Sequence, residues 1–158
     1  MVGVQSRFGK RTGGEKSKLR IFIKRGATIP TRAHETDAGL DLYCMKGGII
    51  WPWGHKTFDT GVHFALPFGT YGKIESKSGL NINHNIVSCG GTVDEPYRGS
   101  VRVKLYNLGW IPYRFKAGQK VAQIVIMDGH KPELELVNNV NALGKTDRGD
   151  RGFGSTGK

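Results

Sequence analysis

Gly91-Thr92-Val93-Asp94-Glu95-Pro96-Tyr97-Arg98-Gly99-Ser100-Val101 is the most informative segment of this sequence. The proline and the second glycine supply turn geometry, and the flanking valines suit a pleated sheet, so the segment predicts a β-hairpin. The backbone of such a hairpin can read the edge of a small planar ligand, and Tyr97 offers it a flat apolar face. A plain surface turn with a solvated Asp94 fits the same residues, so other segments must decide.

The rest of the chain alternates short apolar runs with turn residues. No window of 11 or more residues keeps a helical period, and the stretch after Ser78 has room for at most two helical turns. Many short strands at regular spacing predict an all-β sandwich or barrel, which the 24 glycines also fit. The predicted strands are 19–24, 38–43, 49–51, 57–58, 62–66, 71–75, 101–106, 113–115 and 121–127.

The length and charge of the chain suggest one domain with a basic arm. The 158 residues are enough to bury a core without disulfides or metals. Residues 1–25 carry eight Lys or Arg against one acid, which is most of the net charge of +11. We expect residues 1–18 to be a disordered arm, residues 19–143 the β domain, and residues 144–158 a flexible glycine-rich lid. The arm could touch nucleic acid, although a solvated tail is the better explanation of its composition.

Cysteine and histidine placement argues against a structural metal. Cys44 and Cys89 have no metal-ligand spacing and are expected to be free thiols in a reducing compartment, and the five histidines form no close pair. No apolar run approaches ~18 residues, and the N-terminus has no apolar signal region. The sequence therefore predicts a protein that is not secreted and acts in the cytoplasm, or in the nucleus or host cytoplasm for a viral protein.

Four further segments could bind a phosphorylated base. Asp41 is an acid within a predicted strand, and Ser76-Lys77-Ser78-Gly79 is a hydroxyl-rich loop with a cation. Gly118 to Gln123 begins a strand at a turn. The tail from Arg148 carries arginines for phosphate, glycines for close wrapping, and Phe153 for stacking on a base.

These segments, taken in order, resemble the five motifs of the trimeric dUTPases, the dUTP nucleotidohydrolases. Ala38-Gly39-Leu40-Asp41-Leu42 resembles the first motif, Ser76-Lys77-Ser78-Gly79-Leu80 the second, and Gly91 to Val101 the third. Gly118 to Gln123 resembles the fourth, and Arg148 to Gly157 the glycine-rich fifth. The resemblance implies a dUTPase-like β-clip, a distorted jelly-roll barrel, assembled as a homotrimer with exchange of the C-terminal arm. It also implies hydrolysis of dUTP to dUMP and pyrophosphate, which limits uracil incorporation into DNA and supplies dUMP for thymidylate synthesis.

The resemblance also implies a role for each residue of the third motif. Gly91 and Val93 would belong to the backbone that reads uracil and excludes a 5-methyl group. Tyr97 would pack under the deoxyribose, where a 2′-hydroxyl would clash. Asp94 would orient the attacking water and accept its proton. Because an ordinary Asp has a pKa of ~3.9, positioning would matter as much as proton transfer.

The remaining motifs would bind the triphosphate and its Mg²⁺. Asp41 would hold a water in the shell of the ion, in keeping with the preference of Mg²⁺ for water and few carboxylates. The phosphates would be held by Lys77, Ser78, Gly79, Gln123, Arg148, Ser155 and Thr156. Phe153 would cover the uracil, and in the family this tail comes from a neighbouring subunit, so its ordering would exclude water.

Three positions depart from the family pattern. Lys77 stands where arginine is usual, so the charge remains without the bidentate fork and a weaker grip on phosphate is expected. Arg151 stands where glycine is usual, which either strains the lid or adds attraction for phosphate. Ser76 stands where proline is common.

Two rival interpretations remain open. The dCTP deaminases share the fold, but they use a glutamate base and an arginine in place of the Asp94 and Tyr97 pair. A dUTPase-like trimer could instead serve as a binding protein without needing catalysis. The presence of Asp41, Asp94, Gln123 and Phe153 favours an enzyme, without excluding a second role.

Overall fold

The computed structural model describes residues 18–147 and 149. All of the predicted basic arm except Lys18, and all but Gly149 of the tail from Arg148 onward, lie outside the described residues, so the domain boundaries and a nucleic-acid contact by the arm stay predictions. No helix of the described part is long and apolar enough to cross a membrane.

The described chain is built almost entirely of short strands. In chain order they are β1 (Arg20–Ile23), β2 (Gly39–Tyr43), β3 (Gly48–Ile50), β4 (His55–Asp59), β5 (Val62–Ala65), β6 (Thr70–Glu75), β7 (Ile86–Ser88), β8 (Thr92–Val93), β9 (Arg102–Asn107), β10 (Tyr113–Phe115) and β11 (Lys120–Asp128). One α-helix, α1 (Ser78–His84), follows β6, and a 3₁₀ helix covers Val140–Leu143. The all-β prediction is confirmed, and all nine predicted strands are present.

All strand pairs are antiparallel, and they form four small sheets. The largest has the order β2-β11-β6-β8, the next has β4-β9-β7, and the other two are the pairs β1-β5 and β10-β3. Neighbours in the sheets are mostly distant in sequence, as in jelly-roll folds. The sheets share one core cluster, whose most buried large members are Leu42, Ile50, Phe64, Ile86, Leu105, Phe115, Val121 and Ile124.

The prediction that residues 91–101 form a β-hairpin was wrong, because the two flanks do not pair with each other. Its first flank, β8, pairs with β6 in the register Val93 to Gly72, and the side chain of Val93 packs closely over that glycine. Its second flank goes to a different neighbour, because the N–H of Val101 donates to the carbonyl of Val62 at 2.8 Å. The segment is therefore a loop between two sheets, because each flank finds its burial in a different part of the core.

Candidate active site

Asp41 is an acid inside a strand, and it is buried. It lies in β2 with a side chain that is 4% exposed, and its backbone N–H donates to the carbonyl of Thr31 at 2.7 Å. A lone buried carboxylate is very unfavourable, so such a group needs cations or hydrogen-bond donors. Two lysines meet this need.

Lys77 and Lys120 each bind one oxygen of this carboxylate. Nζ of Lys77 lies 2.6 Å from Oδ1 of Asp41, and Nζ of Lys120 lies 2.7 Å from Oδ2. Burial raises the pKa of the Asp41 carboxyl, but the hydrogen bonds and charges of Lys120 and Lys77 outweigh it and hold that pKa below its ordinary 3.8. The hydrogen bond to Asp41 in turn raises the pKa of Lys120. The carboxyl is thus an anion at neutral pH.

Gln123 lies beside this carboxylate on the neighbouring strand. In β11 it is opposite Asp41 on one side and Glu75 on the other. Its Nε2 donates to the carbonyl of Ser76 at 3.4 Å, a weak bond, and a Cβ at position 39 would collide with its amide oxygen. Gly39 is therefore required for the Gln123 side chain to lie across β2. The structure brings together the predicted residues of the first, second and fourth motifs.

The predicted phosphate loop borders the same cluster. β6 runs into Ser76 and Lys77, and Ser78 and Gly79 form the exposed start of α1. Lys77, Gly79 and Lys120 line one cavity of about 410 Å³, which also reaches Tyr113. Hydroxyl, amide and ammonium donors around one open cavity suit phosphate oxygens.

Asp94 lies in a different environment. It follows β8, is exposed, and its carbonyl accepts the N–H of Tyr97 at 3.0 Å, which closes a turn. A cavity of about 360 Å³ is lined by residues that include Asp94, Tyr97, Gly91 and Val93, and their role in binding the base and sugar stays a prediction. The Tyr97 ring lies over Gly99, where a Cβ would collide with it, and its hydroxyl donates to the Ser100 carbonyl at 3.1 Å.

The end of this loop is fixed by buried hydrogen bonds. The Thr60 hydroxyl donates to the Val101 carbonyl at 2.8 Å and accepts the N–H of Val62 at 3.2 Å. The hydroxyl of Ser100 donates to the carboxylate of Asp59. Asp94 is thus exposed on a loop whose far end is rigid.

The two groups of predicted residues do not meet within one chain. Asp94 leaves β8 beyond the register pair of Val93 with Gly72, whereas Lys77 follows the other end of β6. Because Asp94 is one residue beyond Val93, it is level with position 71, six residues before Lys77, which at ~3.3 Å per residue separates the two groups by about 20 Å along the strand direction. A water held at Asp94 must lie within about 3–3.5 Å of the phosphorus it attacks, so one chain provides two partial sites.

Four of the predicted site residues lie outside the described residues. They are Arg148, Phe153, Ser155 and Thr156, and the departure at Arg151 falls there as well. Their roles stay predictions.

The sequence prediction assigned no role to Lys120. The residue was inside the fourth motif, but its partner Asp41 is on β2, far away in sequence. The alternation of side chains along a strand was the available signal, because Lys120 lies opposite Tyr43, which is two residues from Asp41 on the same face of β2. That signal becomes informative only once β2 and β11 are known to pair.

The residues around Asp41 do not form a metal cage by themselves. Among the described residues there is no group of three His, Cys, Asp or Glu that could hold an ion. One carboxylate with a nearby amide suits an ion held mainly by water and by the phosphates of a ligand, which is the usual habit of Mg²⁺. The donor set fits magnesium bound together with a triphosphate.

Comparison with known proteins gives a consistent result. The model of the dUTPase family matches residues 25–157. A deoxyuridine 5′-triphosphate nucleotidohydrolase of Clostridium kluyveri is 43% identical over 138 residues, covering 85% of this chain and 94% of that protein. The dUTPase of Staphylococcus bacteriophage 80alpha, solved with dUpNHpp, has a TM-score of 0.80 at 26% identity and covers 90% of this chain and 100% of its own. A mutant dUTPase of phage phi11 of S. aureus, solved with a structural Mg(II) ion, has a TM-score of 0.74 at 24% identity, covering 79% and 99%.

Proposed function

The chain belongs to the dUTPase family, and from that premise we propose that it hydrolyses dUTP to dUMP and pyrophosphate. The observation that carries the proposal is the pair of partial sites. One is a cavity of about 360 Å³ lined by Asp94 and Tyr97, and the other is a cationic cavity beside the ionised Asp41.

In this reaction Asp94 orients a water for attack on the α-phosphorus. The water oxygen bonds to phosphorus, its proton passes to the Asp94 carboxylate, and the bond from phosphorus to the α,β-bridging oxygen breaks to release pyrophosphate. Exposure of Asp94 leaves its carboxylate accessible to solvent water, and the turn to Tyr97 fixes its backbone. Charge developing on the leaving group is stabilised by Lys77 and by the donors of Ser78 and Gly79.

Selectivity for the deoxyuridine part follows from the Tyr97 loop. Gly91 has a φ of 139° and its carbonyl accepts the N–H of Ile74 at 3.0 Å, so the backbone that would read uracil is fixed against β6. The ring of Tyr97, held over Gly99, closes the cavity on the sugar side. A 5-methyl group or a 2′-hydroxyl would then meet fixed atoms.

Magnesium would be held through water by Asp41 beside Gln123, together with the triphosphate. The bound ion supplies charge neutralisation to the phosphates. The fit of the donor set supports this assignment, and the phage phi11 dUTPase binds a structural Mg(II) ion.

We propose a homotrimer with an exchanged arm as the active assembly. The separation of the two partial sites supports an assembly in which a second chain brings one to the other. After β11, residues 129–137 form no helix or strand, and Leu134 and Leu136, 94% and 96% exposed, alternate with Glu133 and Glu135. This strand-like alternation lacks cover from the described chain and suits addition to a neighbouring copy. Light scattering should give three times the chain mass of 17.4 kDa.

The test is pyrophosphate release from dUTP, with dCTP, dTTP and UTP as controls and with Mg²⁺ or EDTA. Release should be confined to dUTP, weakened by EDTA, and reduced about 10²- to 10⁴-fold by Asp94→Asn, the range for loss of a general base. Glu35→Gln, a matched change in an exposed loop, should keep full activity. Absence of release from a folded wild-type trimer would refute the enzyme and favour a binding protein; activity retained in Asp94→Asn would refute the role of Asp94.

A further inference from the structure

Asp41 has one more cation than its charge requires. A single buried carboxylate is bound by two ammonium groups, one on each oxygen, at 2.6 and 2.7 Å. Either lysine alone would neutralise it. A second, partly exposed ammonium is unnecessary for charge balance, which suggests that one of the two leaves during function.

The two lysines are held differently. Lys120 is the first residue of β11, opposite Tyr43, with a register shift between it and Ala122, and its Nζ contacts Oδ2 of Asp41. Lys77 lies between β6 and α1 and directly precedes the predicted phosphate donors Ser78 and Gly79. Both lysines line the same cavity, but Lys120 belongs to the strand pair that carries Asp41, while Lys77 belongs to the loop of the predicted phosphate donors.

We propose that Lys120 is a positioning residue that keeps Asp41 neutralised and in place while Lys77 transfers from Asp41 to the triphosphate. The inference rests on the proposed function. A triphosphate carries several negative charges and attracts the ammonium of Lys77. Magnesium would reach Asp41 only through water, so without Lys120 the buried carboxylate would have no cation in direct contact, which would oppose this transfer strongly. Lys120 removes that opposition because it stays bound to Oδ2.

The arrangement predicts that Lys120 acts on phosphate binding through Asp41. Without Lys120, Lys77 must remain on Asp41 and phosphate binding weakens. Without the charge of Asp41, Lys77 is free and Lys120 becomes irrelevant to phosphate. If Lys120 instead bound phosphate itself, its loss would matter equally whether Asp41 is charged or neutral.

The experiment is a double-mutant cycle on Asp41 and Lys120, with binding of dUpNHpp measured by calorimetry in EDTA. Lys120→Met should weaken binding about tenfold in the wild-type background and less than about twofold in the Asp41→Asn background, a coupling typical of residues in contact. Lys120→Arg should recover binding to within about threefold. Lys24→Met, which removes an exposed partner of Asp59, should have no effect.

Steady-state kinetics with dUTP and Mg²⁺ provide a second test of the role of Lys120. Lys120→Met should raise KM more than it lowers kcat, because it weakens phosphate binding rather than attack by water. Circular dichroism and light scattering establish that each variant is folded and assembled.

Three results would overturn the inference. Equal weakening by Lys120→Met in both backgrounds would make Lys120 a direct phosphate ligand, and no weakening in either would make it a surface cation. Loss of metal-free binding in Asp41→Asn alone would show that freeing Lys77 does not help phosphate. A wild type that neither binds dUpNHpp nor releases pyrophosphate from dUTP would instead refute the proposed function, and the inference with it.

Discussion

The two acids of the predicted site, Asp41 and Asp94, have opposite environments. Asp41 lies within a strand, is buried, and is bound by two ammonium groups of its own chain. Asp94 lies on a loop, is exposed, and belongs to a cavity that no cation of the described second or fourth motif reaches. One acid is enclosed by its own chain, while the other lies on an open surface.

This difference separates two ways of preparing a functional carboxylate. The cations around Asp41 keep it ionised and oriented before any ligand arrives, so little reorganisation is needed. The position of Asp94 is fixed through backbone bonds at the base of its loop, while the carboxylate stays accessible to water and to another chain. Substitutions around Asp41 or at the base of the loop that carries Asp94 should therefore change the free energy of unfolding, whereas substitution of the Asp94 side chain should not.

The largest effect is expected when Asp41 loses both cations. The double variant Lys77→Met and Lys120→Met should lower the free energy of unfolding by roughly 3 kcal/mol, the low end for stranding a buried charge, since both lysines are partly exposed. Each single variant should lower it by far less than half, because one ammonium remains. Urea denaturation at a fixed protein concentration measures all three.

A matched exposed pair serves as the control. Lys24 lies 3.7 Å from Asp59, with both side chains more than 40% exposed, so Lys24→Met should change stability by less than about 0.5 kcal/mol. Adding Asp41→Asn to the double variant should restore most of the loss. If the stability losses of the two single variants added up to the loss of the double variant, Lys77 and Lys120 would not share the neutralisation of Asp41.

The strands could be predicted from the sequence because alternation is a local signal. Residues 121–127 alternate in a way that a strand buried on one face requires, and the structure extends β11 by only a residue at each end. The sequence left room for the helix α1 but did not predict it, because seven residues show too little periodicity. β7 has three residues, and its partner β9 lies beyond the Asp94 loop, so its pairing is not encoded locally.

The candidate site could be predicted in its residues but not in its geometry. The motif resemblance named Asp41, Lys77 and Gln123, and the register of β2 with β11 does bring them together. The Lys120 contact, the required glycine at position 39 and the separation of Asp94 from Lys77 all depend on strand pairing. Pairing between distant segments is decided by the whole core, which no single segment of sequence contains.

An intermediate effect is expected at the base of the Asp94 loop. Thr60 is fully buried, and its hydroxyl bridges the Val101 carbonyl and the Val62 N–H. Thr60→Val keeps the shape and removes both bonds, so stability should fall by about 1–2 kcal/mol and KM for dUTP should rise. Thr60→Ser keeps the hydroxyl and should lose less stability than Thr60→Val. A valine variant with unchanged stability and KM would show that the loop is fixed elsewhere.

The smallest effect concerns the pH dependence of stability, which reports on Asp41 only in acid. The pKa of Asp41 is lower in the folded protein than its ordinary 3.8, so the unfolded chain binds a proton more readily. The stability contributed by this carboxylate is complete above about pH 4 and is lost as the pH falls through the lowered folded pKa. Each such proton adds a slope of at most ~1.4 kcal/mol per pH unit.

The measurement is the free energy of unfolding as a function of pH below about 4. Asp41→Asn should make its decline with falling pH shallower by up to one proton. Asp59 also has a pKa below its ordinary value, because the Ser100 hydroxyl and the N–H of Gly61 outweigh its burial, so part of the decline should persist. Equal slopes for wild type and Asp41→Asn would mean that the lysines do not favour the ionised carboxylate, and the contrast between the two acids would then rest on burial alone.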